Sequence, residues 1–363
     1  LIFFAKYYVC SMTQDELYMR RCLDLAVLGA GTVSPNPMVG AVIVCENKII
    51  GEGYTSPYGG PHAEVNAVRH VLETFGEERA LVMFRSSTIY VSLEPCAHQG
   101  KTPPCADMLV RYNFFRVIVG CLDPFPKVNG LGLKKIADAG IQTQVGVLEQ
   151  ECLFMNRRFF TRIQQQRPYV ILKWAETSDG FFAPAEPGQQ WISNAASKQL
   201  VHKWRAEEDA VLVGTSTAML DNPSLTVRLW KGRNPKRILI DRDLVVPDDA
   251  ALFDGMAETI VFNAKRADWQ GKRKYIALEN FALYLPQNIL YQLYLMDVQS
   301  IIIEGGAKTL QQFIDAGVWD EARVFQSKAR WTTGVASPRL SARARSSSKV
   351  GNDTLSFYFR DTY

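Results

Sequence analysis

Three residues well suited to binding zinc, His62, Cys96 and Cys105, are 34 and 9 residues apart in the chain and must meet at one point if they are to act together. Zinc favours imidazole nitrogen and thiolate sulfur, and a catalytic centre uses three protein ligands so that the fourth position can hold water. Any fold of this chain therefore has to bring the ends of separate segments to one place. Glu64 follows His62 by two residues, close enough to reach that position yet free to carry protons instead of coordinating. A closed structural site would need a fourth Cys or His. His98 is the available one, but as a ligand it would shut the position the water needs.

His-x-Glu followed by Pro-Cys and a later cysteine is the division of labour of zinc deaminases. Here His62-Ala63-Glu64 is followed by Pro95-Cys96, and the last cysteine comes after eight residues, Ala97 to Pro104. Such a loop, bearing glycine and prolines, can fold over a metal and present its own side chains to a substrate. The spacing therefore points to a small-molecule deaminase.

At 363 residues the chain exceeds the usual size of one domain, so two compact units are expected. No span reaches the roughly 18 continuous apolar residues of a membrane helix. Leu1 to Val9 is apolar but short and contains Lys6, without the marks of a signal peptide. Residues 1–12 are expected to be a leader or tail, with Met12 as the candidate start. The 41 basic and 37 acidic residues leave a formal charge of +4, too mild to argue for a nucleic-acid partner. The one local excess, Arg339, Arg343, Arg345 and Lys349, reads as a solvated C-terminal segment. Seven cysteines, an odd number with no visible export signal, indicate a reducing, cytoplasmic compartment.

Periodicity places a helix over Gln14 to Leu28 with Thr13 and Asp15 as caps, strands at Gly40 to Val44 and Ile49 to Tyr54, and a helix over Ala63 to Phe75. Thr88 to Leu93 is expected to deliver Cys96 at its end, and a helix over Cys105 to Tyr112 to carry Cys105 at its start. A further strand at Arg116 to Cys121 and a helix at Gly132 to Ala139 complete an α/β sandwich with a mixed sheet. The zinc domain is assigned to 13–150, a polar linker to 151–167, and a second α/β domain to 168–363. Buried strands in the latter are expected at Tyr169 to Lys173, Ala210 to Gly214, Arg237 to Asp241, Thr259 to Phe262 and Ser300 to Glu304. Glu304-Gly305-Gly306-Ala307 follows one of them and opens a helix, a geometry able to cradle a phosphate. No G-x-G-x-x-G follows a strand, which disfavours a Rossmann fold.

Taken together, Asn36-Pro37-Met38-Val39-Gly40, Pro61-His62-Ala63-Glu64 and Leu93-Glu94-Pro95-Cys96 through Pro104-Cys105 resemble the bifunctional riboflavin-biosynthesis deaminase–reductase family. Lys173 with Ser178-Asp179-Gly180, Trp191-Ile192-Ser193, Arg205-Ala206-Glu207, Gly214 with Thr217, and Asp221-Asn222-Pro223 through Arg228 follow in the family's order. The resemblance implies a cytidine-deaminase-like first domain and a dihydrofolate-reductase-like second one. It implies zinc on His62, Cys96 and Cys105, with Glu64 moving protons while a phosphoribosylamino diaminopyrimidinone loses its amine. It adds Asn36, Ala97, His98 and Lys101 as pocket residues, Lys101 meeting the phosphate. In the second domain it implies NADPH on Ala175, Trp191, Thr217, Asp221 and the loop Gly306, Ala307, Lys308, Thr309 and Leu310. Arg205, Leu225, Arg228 and Glu304 would hold a substrate whose ribosyl group is reduced, with Lys173 assisting at the sugar oxygen. Dimers or tetramers are common among similar proteins.

The chain departs from the family pattern at Thr55, Phe125 and Leu131, where the family has histidine, asparagine and arginine, and at Gln189 and Arg242, where it has serine. The first three put substrate contacts at stake rather than the metal, and Arg242 is expected to meet the phosphate that distinguishes NADPH from NADH. The last 35 residues, from Ala329, lack clear closing strands apart from Leu355 to Phe359. Two other readings remain: a nucleoside or nucleic-acid base deaminase carrying an inactive binding module, and a non-catalytic sensor of pyrimidine nucleotides. The first of these would want a basic, aromatic groove and has no use for Asp221-Asn222-Pro223.

Overall fold

The computed structural model describes residues 12–97, 103–125, 128–185 and 192–360. Residues 1–11 and the expected positions His98, Lys101, Gln189 and Trp191 lie outside them. The chain divides into two compact units, Leu1–Gln165 and Gln166–Tyr363.

In the first unit, α1 (Gln14–Ala26) opens on a capping box in which Thr13 Oγ1 accepts from the Glu16 N–H while Glu16 accepts from the Thr13 N–H. Asp15 is not a cap, because its carboxylate takes the Tyr90 hydroxyl at 2.7 Å and Arg116 at 3.1 Å. Strands β1 (Gly40–Cys45) and β2 (Lys48–Tyr54) pair antiparallel. After them come α2 (Ala63–Phe75), α3 (Glu77–Phe84), β3 (Thr88–Leu93), α4 (Cys105–Tyr112), β4 (Arg116–Cys121), α5 (Leu131–Asp138) and β5 (Gln142–Val145). The sheet order is β2-β1-β3-β4-β5, with β1 antiparallel to both neighbours and β3, β4 and β5 parallel. All six residues of β1 are buried, as expected of a central strand covered on both faces.

This topology gathers four chain ends at one edge of the sheet: the entry to β1 and the exits from β2, β3 and β4. Two glycines let α2 lie close on β2. A Cβ on Gly53 would stand 2.4 Å from the Ala63 carbonyl oxygen and from the Ala67 nitrogen, and one on Gly51 would stand 2.4 Å from Val71.

The expected linker at 151–167 is instead two helices, α6 (Glu149–Met155) and α7 (Arg157–Gln165). Cys152, Phe159 and Phe160 belong to the first unit's core. The many polar residues of α7 face away from a short apolar stripe, which made the segment read as a connector. Pro168 stands directly before the second unit's first strand, as the expected start of that domain at 168 has it.

The second unit runs β6 (Tyr169–Glu176), β7 (Phe181–Ala183), α8 (Ala195–Glu207), β8 (Ala210–Gly214), α9 (Thr215–Asp221), β9 (Lys236–Ile240), β10 (Thr259–Asn263), β11 (Asp268–Gln270), β12 (Arg273–Ala277), α10 (Leu285–Leu295), β13 (Ser300–Ile303), α11 (Ala307–Asp315), β14 (Glu321–Gln326), β15 (Val335–Ala336), β16 (Ser346–Val350) and β17 (Asp353–Phe359). Ten strands form one sheet in the order β11-β12-β10-β9-β8-β13-β6-β14-β17-β16. The run from β12 to β14 is parallel, and β11, β17 and β16 are antiparallel to their neighbours. Apolar clusters cover both faces.

The closing region is more regular than its sequence suggests. A hairpin of β16 and β17 turns through Gly351 at φ +58°. The outer strand begins Ser346-Ser347-Ser348 and, as an edge strand, needs no apolar alternation. The basic cluster read as a solvated segment is partly paired into this hairpin: the Arg345 N–H donates to the Phe357 carbonyl and Lys349 Nζ to Thr354 Oγ1. No helix among the described residues is long and apolar enough to cross a membrane.

Candidate active sites

The three predicted ligands converge at the edge of the first sheet. His62 precedes α2 at its N-cap position, where its imidazole makes no capping bond and is left free for other use. Cys96 follows β3, and Cys105 is the first residue of α4. His62 Nδ1 lies 3.6 Å from Cys96 Sγ and 3.4 Å from Cys105 Sγ, and all three donor atoms lie within 4.8 Å of one another. A tetrahedral zinc with Zn–N near 2.0 Å and Zn–S near 2.3 Å separates nitrogen and sulfur ligands by about 3.5 Å. The donor set and its spacing therefore fit zinc.

Protons are distributed over the cluster accordingly. The Cys96 thiol is pushed down to about 4, first by its bond with Cys105 and also by His62, while its burial opposes the shift. His62 is raised to about 9, mainly by its bond with Cys96. Cys105 is pushed well up by the same neighbour and by burial. These shifts make Cys96 the readiest thiolate of the group and favour protons on His62 and Cys105, which a divalent cation displaces on binding. The Cys105 N–H donates to Cys96 Sγ at 3.3 Å, which uses one of the free amides at the start of α4 to hold the thiolate.

Glu64 sits in the first turn of α2 and is only 4% exposed. Burial raises its pKa, and the charge on His62 works against that rise. A carboxyl so placed takes up a proton more readily than an exposed one.

Three polar residues of the first unit, Glu94, Asp123 and Asn156, are buried and carry no site role in the sequence reading. The buried Glu94 carboxylate accepts from the N–H groups of Asp123, Gly130, Gly132 and Leu133 at 2.9 to 3.3 Å, anchoring the residue two before Cys96 to the loop after β4 and to the first turn of α5. Asp123 in that loop is raised to about 6 by burial. Asn156 bonds Met38. A charged residue closing the wholly buried end of β3 was the available signal for Glu94.

Of the expected pocket residues, Asn36 and Ala97 are half-buried at this same edge. Thr55 is 4% exposed, and its hydroxyl is taken up by Val39, whose N–H it accepts at 3.2 Å. Where the family has histidine, this residue braces the Asn36 loop. Leu131 is half-exposed at the start of α5, and the Phe125 N–H caps the Asp123 carboxylate.

In the second unit the expected residues collect at the carboxyl ends of adjacent parallel strands, where ligands bind in sheets of this kind. Ala175 is the last residue but one of β6, Glu304 and Gly306 follow β13, Thr217 follows β8, and Arg242 follows β9. Gly306 adopts φ +66°, and a Cβ there would stand 3.4 Å from Thr217 Oγ1 and 3.7 Å from Thr309 Oγ1. The bare turn and two hydroxyls form a cradle fitting a phosphate-bearing cofactor. Ala307 and Lys308 continue it into α11, whereas the Leu310 side chain is fully buried in the core and its N–H donates to the Gly306 carbonyl, so Leu310 closes the first turn of the helix behind the cradle. Asp221 and Arg242 are exposed.

Arg205 and Glu304, both expected to hold substrate, also hold each other. Arg205 Nε and Nη2 donate to the Glu304 carboxylate at 2.7 and 2.8 Å. Against its burial, Arg205 and Lys173 keep Glu304 at about 2. Lys173 Nζ stands 3.8 Å from the same carboxylate, and burial lowers its pKa. Leu225, at φ +53°, packs in a core, so only its backbone is presented. The exposed Arg228 bonds Ser224 and Thr226, and its N–H donates to His202 Nδ1 at 3.1 Å.

A zinc deaminase unit joined to a reductase unit built on a largely parallel sheet is the class of protein that this fold and these sites define. One family model, the cytidine and deoxycytidylate deaminase zinc-binding region, matches residues 12–121, and another, the RibD C-terminal domain, matches residues 168–328. The chain belongs to the RibD family of riboflavin-biosynthesis proteins, bifunctional enzymes with a zinc-binding deaminase and an NADPH-using reductase. The riboflavin biosynthesis protein RibD of Aquifex aeolicus is 38% identical, over 95% of this chain and 98% of that one. That of Escherichia coli is 34% identical, over 86% and 87%. The crystal structure of the Thermotoga maritima diaminohydroxyphosphoribosylaminopyrimidine deaminase/5-amino-6-(5-phosphoribosylamino)uracil reductase superposes with a TM-score of 0.86 at 34% identity, covering 95% of this chain and 98% of that one.

Proposed function

We propose that the first unit deaminates 2,5-diamino-6-(5-phosphoribosylamino)pyrimidin-4(3H)-one and that the second reduces the ribosyl group of the resulting 5-amino-6-(5-phosphoribosylamino)uracil to ribityl. The observation that carries this reading is the convergence of His62, Cys96 and Cys105 beside a buried Glu64. When bound there, zinc supplies Lewis acidity that draws the pKa of water towards neutrality. Glu64 takes the proton of the attacking water and delivers it to the ring nitrogen, then takes the proton of the hydroxyl so added to the ring carbon and passes it to the amine, which leaves as ammonia while the carbonyl forms. Asn36 and Ala97 line the pocket, His98 joins them, and Lys101 pairs with the substrate phosphate.

In the second unit NADPH supplies the hydride, held by Ala175, Trp191, Thr217, Asp221 and the cradle from Gly306 to Leu310. Arg242 meets its additional phosphate. Lys173, whose burial favours giving up its proton, protonates the sugar oxygen, while Glu304 keeps Arg205 in place and Arg228 pairs with the phosphate. A domain boundary after Gln165 is supported by the division into compact units there, and a cytoplasmic setting by the six free cysteines among the described residues.

The test is to incubate the zinc-loaded protein with the diaminopyrimidine phosphate, with and without NADPH, and to identify products by mass. Exchange of an amino group for oxygen is expected without NADPH, and a further gain of two hydrogens with it. An unchanged substrate in both arms overturns the reading.

A further inference from the structure

The stretch that reads as a linker contributes a buried side chain to the deaminase edge. Asn156, at the bend between α6 and α7, is 2% exposed, and both ends of its carboxamide are engaged by one residue. Oδ1 accepts from the Met38 N–H at 2.8 Å and Nδ2 donates to the Met38 carbonyl at 2.9 Å. An amide so placed acts as a strand partner, giving donor and acceptor to a single stretch of main chain.

Met38 belongs to the loop that enters β1, and the sheet register fixes where that loop lies. Ala41 pairs with Val91 antiparallel, and the Gly40 N–H donates to Ser92 Oγ. The residues before β1 therefore run beside those after β3, which lead through Glu94 to Cys96. On the other side Val39 exchanges bonds with Thr55. The Ser56 N–H in turn donates to the Pro61 carbonyl, next to His62. Asn156 and Thr55 thus pin two consecutive residues, Met38 and Val39, just after Asn36-Pro37.

We propose that Asn156 is a positioning residue for the deaminase: it fixes the loop from Asn36 to Val39 beside the metal cluster and so sets where Asn36 meets the substrate. This rests on the reading of Asn36 as a pocket residue. The bonds of Asn156 go to Met38, not to His62, Glu64, Cys96 or Cys105, so it acts on substrate placement rather than on metal binding. An aspartate would keep the shape and the acceptor for the Met38 N–H but lose the donor to its carbonyl.

The experiment measures ammonia release by the full-length, zinc-loaded Asn156→Ala, Asn156→Asp and Asn36→Ala variants, alongside zinc content and NADPH oxidation with the deaminated substrate. Asn156→Ala is expected to raise the deaminase KM about tenfold or more, with kcat falling less. Zinc content and reductase activity stay at the original level, and Asn156→Asp lies between Ala and the original. An unchanged KM in Asn156→Ala overturns the proposal, as does loss of zinc together with activity in both Asn156 variants, which would mark a purely structural residue. Should Asn36→Ala leave KM unaltered while Asn156→Ala raises it, the loop keeps its role and the reading of Asn36 falls.

Discussion

The proposed deamination asks Glu64 to hold a proton at one moment and release it at the next, and its surroundings pull in both directions. Burial favours the protonated carboxyl, whereas the nearby charge on His62 favours the carboxylate. Because it is not one of the three clustered donors, Glu64→Gln should leave zinc content unchanged while ammonia release falls about 10²–10⁴-fold. Undiminished release would remove Glu64 from its role. At the other site His202 is the residue with a pH signature. Burial, then Arg205 and Arg228, lower its pKa from 6.5 to about 4, and its Nδ1 must stay unprotonated to accept the Arg228 N–H. Between those values the unfolded chain takes up a proton that the folded one refuses, so this residue removes stability as pH falls from about 6.5 to about 4. His202→Asn, which can still accept that N–H but does not titrate, should flatten this part of the loss. The urea midpoint of the reductase unit, followed from pH 7 to pH 4, checks it, and parallel curves for the two proteins would contradict it.

At the level of elements, the close seat of α2 on β2 sets where His62 and Glu64 stand. Gly53→Ala would drive a methyl into the backbone at Ala63 and Ala67, lifting the first turn of α2. Zinc affinity is expected to fall about tenfold or more, measured by competition with a chelator, while an unshifted affinity would show that the helix start is placed by something else. The elements that carry ligands were legible because each has its own strong pattern. Ala63 to Phe75, Thr88 to Leu93 and Cys105 to Tyr112 are found with those bounds. Patterns failed where an element borrows its stability from neighbours. Polar α7 hides Phe159 and Phe160, and edge strand β16 has no alternation to detect. The same limit applies to side chains. His62, Cys96 and Cys105 announce their chemistry by type, whereas Glu94 and Asn156 matter through the main-chain groups they hold, and no sequence spacing reveals those partners.

Across the whole molecule, each unit has its own core and its own set of convergent residues. The cluster of His62, Cys96 and Cys105 falls in the first unit, and that of Lys173, Arg205 and Glu304 falls in the second. The two chemistries should therefore separate when zinc is withdrawn. The direct measurement is to strip the metal with a chelator and assay each half-reaction with its own substrate, ammonia release from the diaminopyrimidine phosphate and NADPH oxidation with the deaminated uracil. Loss of ammonia release, its return when zinc is restored, and undisturbed NADPH oxidation throughout are predicted. Deamination that survives in the zinc-free protein, or a parallel loss of both activities, would contradict the account.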